Sequence, residues 1–213
     1  MTKDREATLR EDYERRLREY GDNPLGVGWP NPQDAELRYR VMLDVIRPGA
    51  ATNSILDFGC GTGALLENIR HHGRRDIHYT GTDNSEKHLA LCRQKFPDVN
   101  FISGDILNDA PGLGEFDYIV ANGVFTLKAS LTHAEMFGFL SSALQKLWLH
   151  ARLGMAFNVM TKHVDWERDD LFHVGFDEMA SFLKAHISRH FLFRSEYGLW
   201  EYTVYVYRNP QRG

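Results

Sequence analysis

"ILDFGCGTGALL", residues 55–66, decides how the chain is read. A buried strand does not favour an aspartate at position 57. A stable helix does not favour glycine at 59, 61 and 63, because each glycine gives up more backbone freedom than any other residue on ordering. The stretch makes sense as a strand that ends in a turn and feeds a helix. Gly59 and Gly61 remove side chains where a ligand approaches the backbone. Gly63 lets the turn pass into a helix whose first amides have no partner within it.

The rhythm around this stretch sets the fold class. "IHYTGTD" reads as a second strand, followed by a helix over about 85–95 that stops before Pro97. "VNFISGD", "FDYIVAN" and "GMAFNVMT" read as three more strands. Thr132 and Glu135 form the sequence pattern of a capping box for a long helix with Met136, Leu140, Leu144 and Leu147 facing inward. "DEMASFLKAHI" reads as another helix, with Asp177 as its cap. "HFLFRSEY" and "EYTVYVYR" are two final strands, too closely linked to pair in parallel. Alternating strands and helices predict a parallel sheet covered on both faces. The expected architecture is a Rossmann-like three-layer αβα fold of the α/β class. Its sheet has seven strands, mostly parallel, with one antiparallel strand near the edge.

Before the first of these strands lies a different kind of segment. Leu9, Tyr13, Leu17 and Tyr20 recur at helical spacing, and Gly21 ends that helix. "GDNPLGVGWPNPQ" is a Gly/Pro-rich loop carrying Trp29. Asn31 caps a second helix with Pro32 at its first position, Leu37, Val41 and Val45 as its buried face, and Pro48-Gly49 as its stop. Residues 1–49 are therefore expected to form an N-terminal helical segment preceding a domain that spans 50–213.

Composition narrows the function classes. The 213 residues are 43% hydrophobic and 25% charged, with a formal net charge of -4. That suits one sizeable soluble domain with no general attraction for nucleic acid or anionic lipid. Cys60 and Cys92 are the two cysteines, too few for a disulfide framework and without metal-ligand spacing. The charged N-terminus is not expected to act as a signal peptide, and no apolar run is long enough for a membrane span. A cytoplasmic location without membrane or DNA partners is expected.

Two cofactor classes compete for the glycine turn. Gly59, Gly61 and Ala64 fit a dinucleotide pattern, with Asp83 placed as a ribose-binding acid. However, a pyrophosphate is an anion, and Asp57, two residues before the turn, would repel it. S-adenosylmethionine carries an ammonium and a sulfonium, which a carboxylate attracts. Asp83 can accept both ribose hydroxyls, and Asp105, after the third strand, stands where an adenine amino group could be read.

With these residues in place, the sequence resembles class I S-adenosylmethionine-dependent methyltransferases over about residues 50–208. The resemblance is carried by "LDFGCGTG", "GTDNS", "SGDI" and "FDYIVANGVF", in that order. It implies that Asp57, Gly59, Gly61, Asp83, Asn84, Asp105 and Ile106 line S-adenosylmethionine, with Asn122 at the methionine part. The resemblance further implies that residues 1–49 form a lid over the cofactor cleft, with Trp29 as a candidate wall, and Arg38 or Arg40 could reach the cofactor carboxylate. The overall pattern is closest to bacterial small-molecule members of the family. The expected reaction is methylation of a small-molecule acceptor, on a hydroxyl oxygen. His163, directly after the fifth strand, and His133, opening the long helix, are the candidate bases. The acidic segment around His163, Asp165, Asp169, Asp170 and His173 matches no fixed metal-ligand spacing, and no metal is expected. "ANGVF" departs from the Pro-Pro-aromatic loop of enzymes that methylate nucleobases. A protein or RNA methyltransferase and a non-catalytic cofactor-binding module remain as alternatives. The oligomeric state is not legible.

Overall fold

The computed structural model describes residues 3–23, 26, 29, 31–104 and 113–211. Two helices come first, α1 (Lys3–Tyr20) and α2 (Pro32–Leu43). The alternating part follows: β1 (Asn53–Phe58), α3 (Ala64–His71), β2 (Ile77–Asp83), α4 (Glu86–Lys95), β3 (Asn100–Ser103) and β4 (Phe116–Ala121). It continues with α5 (His133–His150), β5 (Ala151–Thr161), β6 (His173–Val174), α6 (Phe176–His186), β7 (His190–Arg194) and β8 (Glu201–Tyr207).

The main path of the sheet runs β3-β2-β1-β4-β5-β8-β7, and the two-residue β6 adds to β5. β1 pairs in parallel with β2 and β4, whereas β8 is antiparallel to both β5 and β7. This main path is the expected mostly parallel seven-stranded sheet with one reversed strand beside the edge. β6 has no counterpart in the sequence pattern, because two residues carry no periodicity. Winding reverses between β1 and β4, so the carboxyl ends of these two strands leave a crevice.

The period-two alternation of β8 shows how one strand serves two layers. Tyr202, Val204 and Val206 join the core that contains α5 and α6, while Tyr205 and Tyr207 face the core of α2, α3 and α4. The Tyr205 hydroxyl donates to the Val41 carbonyl, and Tyr207 Oη donates to Val45 O at 3.2 Å. These bonds bind α2 and the turn after it to a strand more than 160 residues away in sequence.

Several local expectations change. α2 ends at Leu43, before Pro48-Gly49, because the chain turns at Asp44 and buries Val45 beyond the helix. Asp177 is the second residue of α6, and Gly175 is the N-cap, so the carboxylate sits in the first turn without capping it. Tyr20 is 52% exposed and stands off the buried stripe of α1, whereas Tyr13 and Leu17 are half-buried. The side chain of Leu9 lies outside the described residues. No helix among the described residues is long and apolar enough to cross a membrane.

The capping box on α5 is complete. Glu135 N donates to Thr132 Oγ1 at 3.3 Å, and Thr132 N donates to Glu135 Oε2 at 3.0 Å. Thr132→Ala removes one half of this exchange, and loss of such a cap costs about 1 kcal/mol. Urea unfolding should show that loss, with affinity for S-adenosylhomocysteine unchanged; an unaltered midpoint would mean the box adds nothing.

Candidate functional site

The crevice at the carboxyl ends of β1, β2 and β4 is a cavity into which the glycine turn projects. Its floor is Asp57–Gly61, one side is Thr82–Ser85 with His88, and the other is Asn122–Val124 with Phe139. Arg10 and Tyr13 of α1, Trp29 of the loop between the helices, and Tyr39 of α2 border it from above.

The turn works because its glycines are in the left-handed region, with φ of +75° at Gly59, +54° at Gly61 and +86° at Gly63. A Cβ on Gly59 would lie 2.5 Å from Val124 Cγ2, so both conformation and space exclude a side chain there. The turn is fastened from the next strand. Gly59 N and Cys60 N both donate to Thr82 O, at 2.8 and 2.9 Å. Gly61 N donates to Asp83 Oδ2 at 2.9 Å, and Ser85 N donates to Asp83 Oδ1 at 2.8 Å. Asp83 is thus held in one orientation, with each oxygen retaining a further lone pair for a ligand.

Asp57 is 3% exposed, and the Tyr79 hydroxyl donates to its Oδ2 at 2.7 Å. Burial pushes its carboxyl up to about 7; the Tyr79 bond opposes this, and the nearby Asp83 charge adds to it. A buried acid so poised gains most from a cationic ligand. Cys60 and Cys92 lie together under the turn, and the Cys92 thiol donates to Gly61 O at 3.2 Å. The Cys92 contact, then burial and the two carboxylates, hold the Cys60 thiol well above its ordinary range. It packs as a thiol and is no nucleophile.

Of the expected cofactor residues, Asp57, Gly59, Gly61, Asp83, Asn84, Asn122 and Trp29 border one cavity. Asp105 and Ile106 lie outside the described residues. Arg38 does not border it: its Nε and Nη2 each lie 2.9 Å from Glu201 Oε2, behind Trp29. Neither candidate base is among the lining residues. His163 is exposed and stacks on Phe176 with ring centroids 5.1 Å apart. His133 packs against Phe137 and Phe172 and lies 3.5 Å from Glu178. His173 uses both nitrogens structurally, on Thr161 O at 2.6 Å and Arg168 N at 3.3 Å. Asp170 is paired with Arg168 at 2.6 Å. Among the described residues no cluster of three or more ligating side chains could hold a metal.

Sequence reading missed Tyr39, Thr82, His88 and Phe139 as cavity residues. His88 was within reach: it stands one turn after Ser85, the N-cap of α4, on the side facing Asp83. Tyr39 and Phe139 carry no local signal that separates them from core aromatics.

The residues fit S-adenosylmethionine on features of the cavity itself. Asn122 Oδ1 is buried without a partner among the described residues, as expected of an acceptor awaiting a donor. The glycine cradle admits a close ligand, and two carboxylates suit a cationic one. These features define a nucleoside-binding methyl-transfer fold. A methyltransferase-domain family model matches residues 55–146. A protein of Mycobacterium tuberculosis (strain ATCC 25618 / H37Rv) named as a methyltransferase is 30% identical over 155 residues, covering 72% of this chain and 92% of that one. Trans-aconitate 2-methyltransferase of Delftia acidovorans is 38% identical over 92 residues, 41% of this chain and 31% of that protein. Among solved structures, magnesium protoporphyrin IX methyltransferase of Synechocystis PCC 6803 with bound S-adenosylmethionine has a TM-score of 0.63 at 16% identity, covering 96% of this chain and 95% of its own. The DhpI-SAM-HEP complex has a TM-score of 0.64 at 16% identity, covering 96% and 98%. The chain belongs to the class I S-adenosylmethionine-dependent methyltransferases, and S-adenosylmethionine is its cofactor.

The buried acid makes a pH prediction. Asp57 titrates near 3.8 in the unfolded chain and at about 7 in the folded one. Between those values the folded state holds the extra proton, so this group's contribution to stability is lost as pH rises through that window. Asp57→Asn removes the titration. Without cofactor, the variant should gain on the wild type by a few kcal/mol between about pH 4 and pH 7. Urea unfolding across that range measures the gap, and a constant gap would reject the buried titration.

Proposed function

We propose that the protein transfers the methyl group of S-adenosylmethionine to an oxygen of a small-molecule acceptor. The observation that carries this reading is the aromatic enclosure. Tyr13, Trp29, Tyr39 and Phe139 border the same cavity as the glycine turn. Such walls exclude water and fit a compact acceptor. A polynucleotide would instead require a basic track, and the described charged residues lining the cavity include two aspartates against one arginine. The relatives named for trans-aconitate and for magnesium protoporphyrin IX support a small acceptor.

In this reading Asp57 and Asn122 hold the methionine part, and Asp83 and Asn84 hold the ribose. Asp105 and Ile106 keep their proposed place at the adenine. Residues 1–49 act as the lid, with Trp29 as its aromatic wall. Glu14 fastens α1 beside the ribose acid, accepting from Ser85 Oγ at 2.9 Å and Lys87 Nζ at 2.6 Å. The bound cofactor supplies a methyl carbon already activated by the sulfonium. The chain's residues position the acceptor against it and keep the site dry, which can account for most of such a rate enhancement. A neutral hydroxyl would also need a base, and neither His163 nor His133 borders the cavity.

Two measurements test this. Asp83→Ala should weaken S-adenosylhomocysteine binding at least tenfold by calorimetry, in line with about 1.5–3 kcal/mol for hydrogen bonds to a charged group. Incubation with methyl-labelled S-adenosylmethionine and pools of small acids, small alcohols, RNA and peptides should place label on a small-molecule pool. Label confined to RNA or peptide would overturn the small-acceptor reading while leaving the cofactor site intact.

A further inference from the structure

Behind the methionine side of the cavity lies a closed ring of contacts. Glu201 opens β8 and is 2% exposed. Its Oε2 accepts from Arg38 Nε, and its Oε1 accepts from Asn158 Nδ2, each at 2.9 Å; Tyr197 Oη approaches Oε1 at 3.4 Å. Asn158 is fully buried in β5, and its Oδ1 accepts from Gly123 N at 2.7 Å. Arg38 Cζ lies 4.7 Å from the centroid of the Trp29 ring. Trp29 in turn covers Gly123 so closely that a Cβ there would be 2.9 Å from Trp29 Cζ2. Trp29 and Gly123 border the cavity; Arg38, Asn158 and Glu201 do not.

We propose that Glu201 is a positioning residue for the cofactor, holding the Gly123 turn through Asn158 and the Trp29 wall through Arg38. The polarity of the ring makes the carboxylate specific. Gly123 N needs an acceptor, so Asn158 presents its oxygen there and its NH2 to residue 201. Arg38 brings further donors to the same residue. Position 201 must therefore accept on both sides, which a carboxylate does and an amide cannot. Leaving a buried donor unmatched costs the full desolvation of that group. The ring then yields at its softest member, the Gly123 turn or the Trp29 stack, and both border the ligand.

The same logic supplies a reciprocal exchange. Glu201→Gln alone leaves a donor facing a donor, at Asn158 or at Arg38. Asn158→Asp alone sets two carboxylates against each other. Together they restore every pairing. The carboxylate introduced at position 158 would accept from Gly123 N and from the amide introduced at position 201, and the oxygen of that amide would accept from Arg38. Calorimetry with S-adenosylhomocysteine, alongside thermal unfolding, reads the outcome. Each single variant should bind at least tenfold more weakly, and the double variant should return to within about threefold of wild type. Arg38→Gln keeps a donor to Glu201 but removes the cation over Trp29; it should bind several-fold more weakly with unfolding within a few degrees of wild type. It decides the matter if the buried single variants fold poorly. Wild-type affinity in Glu201→Gln or Arg38→Gln, or a double variant no better than the weaker single, would overturn the assignment. Wild-type protein that failed to bind S-adenosylhomocysteine would instead sink the cofactor reading.

Discussion

A carboxylate nearly sealed from water at the end of β1 is the constraint on which the site depends. Asp57 lies where the sheet reverses its winding, beneath a turn whose left-handed glycines admit no side chain. An acid so placed is costly unless something positive answers it. In the free protein the proton does so, with the carboxyl raised to about 7 and Tyr79 donating to it. A cationic ligand is the natural replacement. The glycine turn then follows from the same demand, because a ligand that neutralises a buried acid must come close to the backbone.

Asp83 has the opposite character, and the contrast divides the labour. Its oxygens accept from Gly61 N and Ser85 N, so it braces the turn and the start of α4 at once. One acid is thus buried and short of partners, and the other is organised by amides on two elements. The helix α1 reaches the same corner through Glu14, which joins Ser85 and Lys87. The Asp83 side of the cavity and the helix that borders it are therefore tied through shared contacts.

Much of this was legible in the chain because it is local. The glycine turn, the three strand ends with their polar residues, and the Thr132/Glu135 box each occupy a few consecutive positions. The reversed final strand also followed from a short link alone. What escaped is long-range. Nothing near Arg38 shows that it meets Glu201, 163 positions away, and a helix wheel cannot distinguish an arginine aimed at a ligand from one aimed at a strand. His163 and His133 were placed at the right ends of the right elements, yet each turned to an aromatic neighbour, Phe176 or Phe137 and Phe172. Position along the chain fixed the end of the sheet but not the direction of the side chain.

The Arg38–Glu201 pair then raises a question of energetics. With side-chain exposures of 16% and 2%, it has lost much of its hydration. Pairs of this kind seldom stabilise a fold more than well-packed apolar residues of the same size. The tyrosines of β8 already tie α2 to the sheet through Val41 and Val45. A polar pair at the end nearest the cavity is therefore weakly explained by stability alone. Geometry offers the better reason: apolar side chains could fill the space, but they could not orient Asn158, and a mis-turned Asn158 would leave Gly123 N without its acceptor. The pair's return is the fixed direction of a backbone amide that borders the cavity.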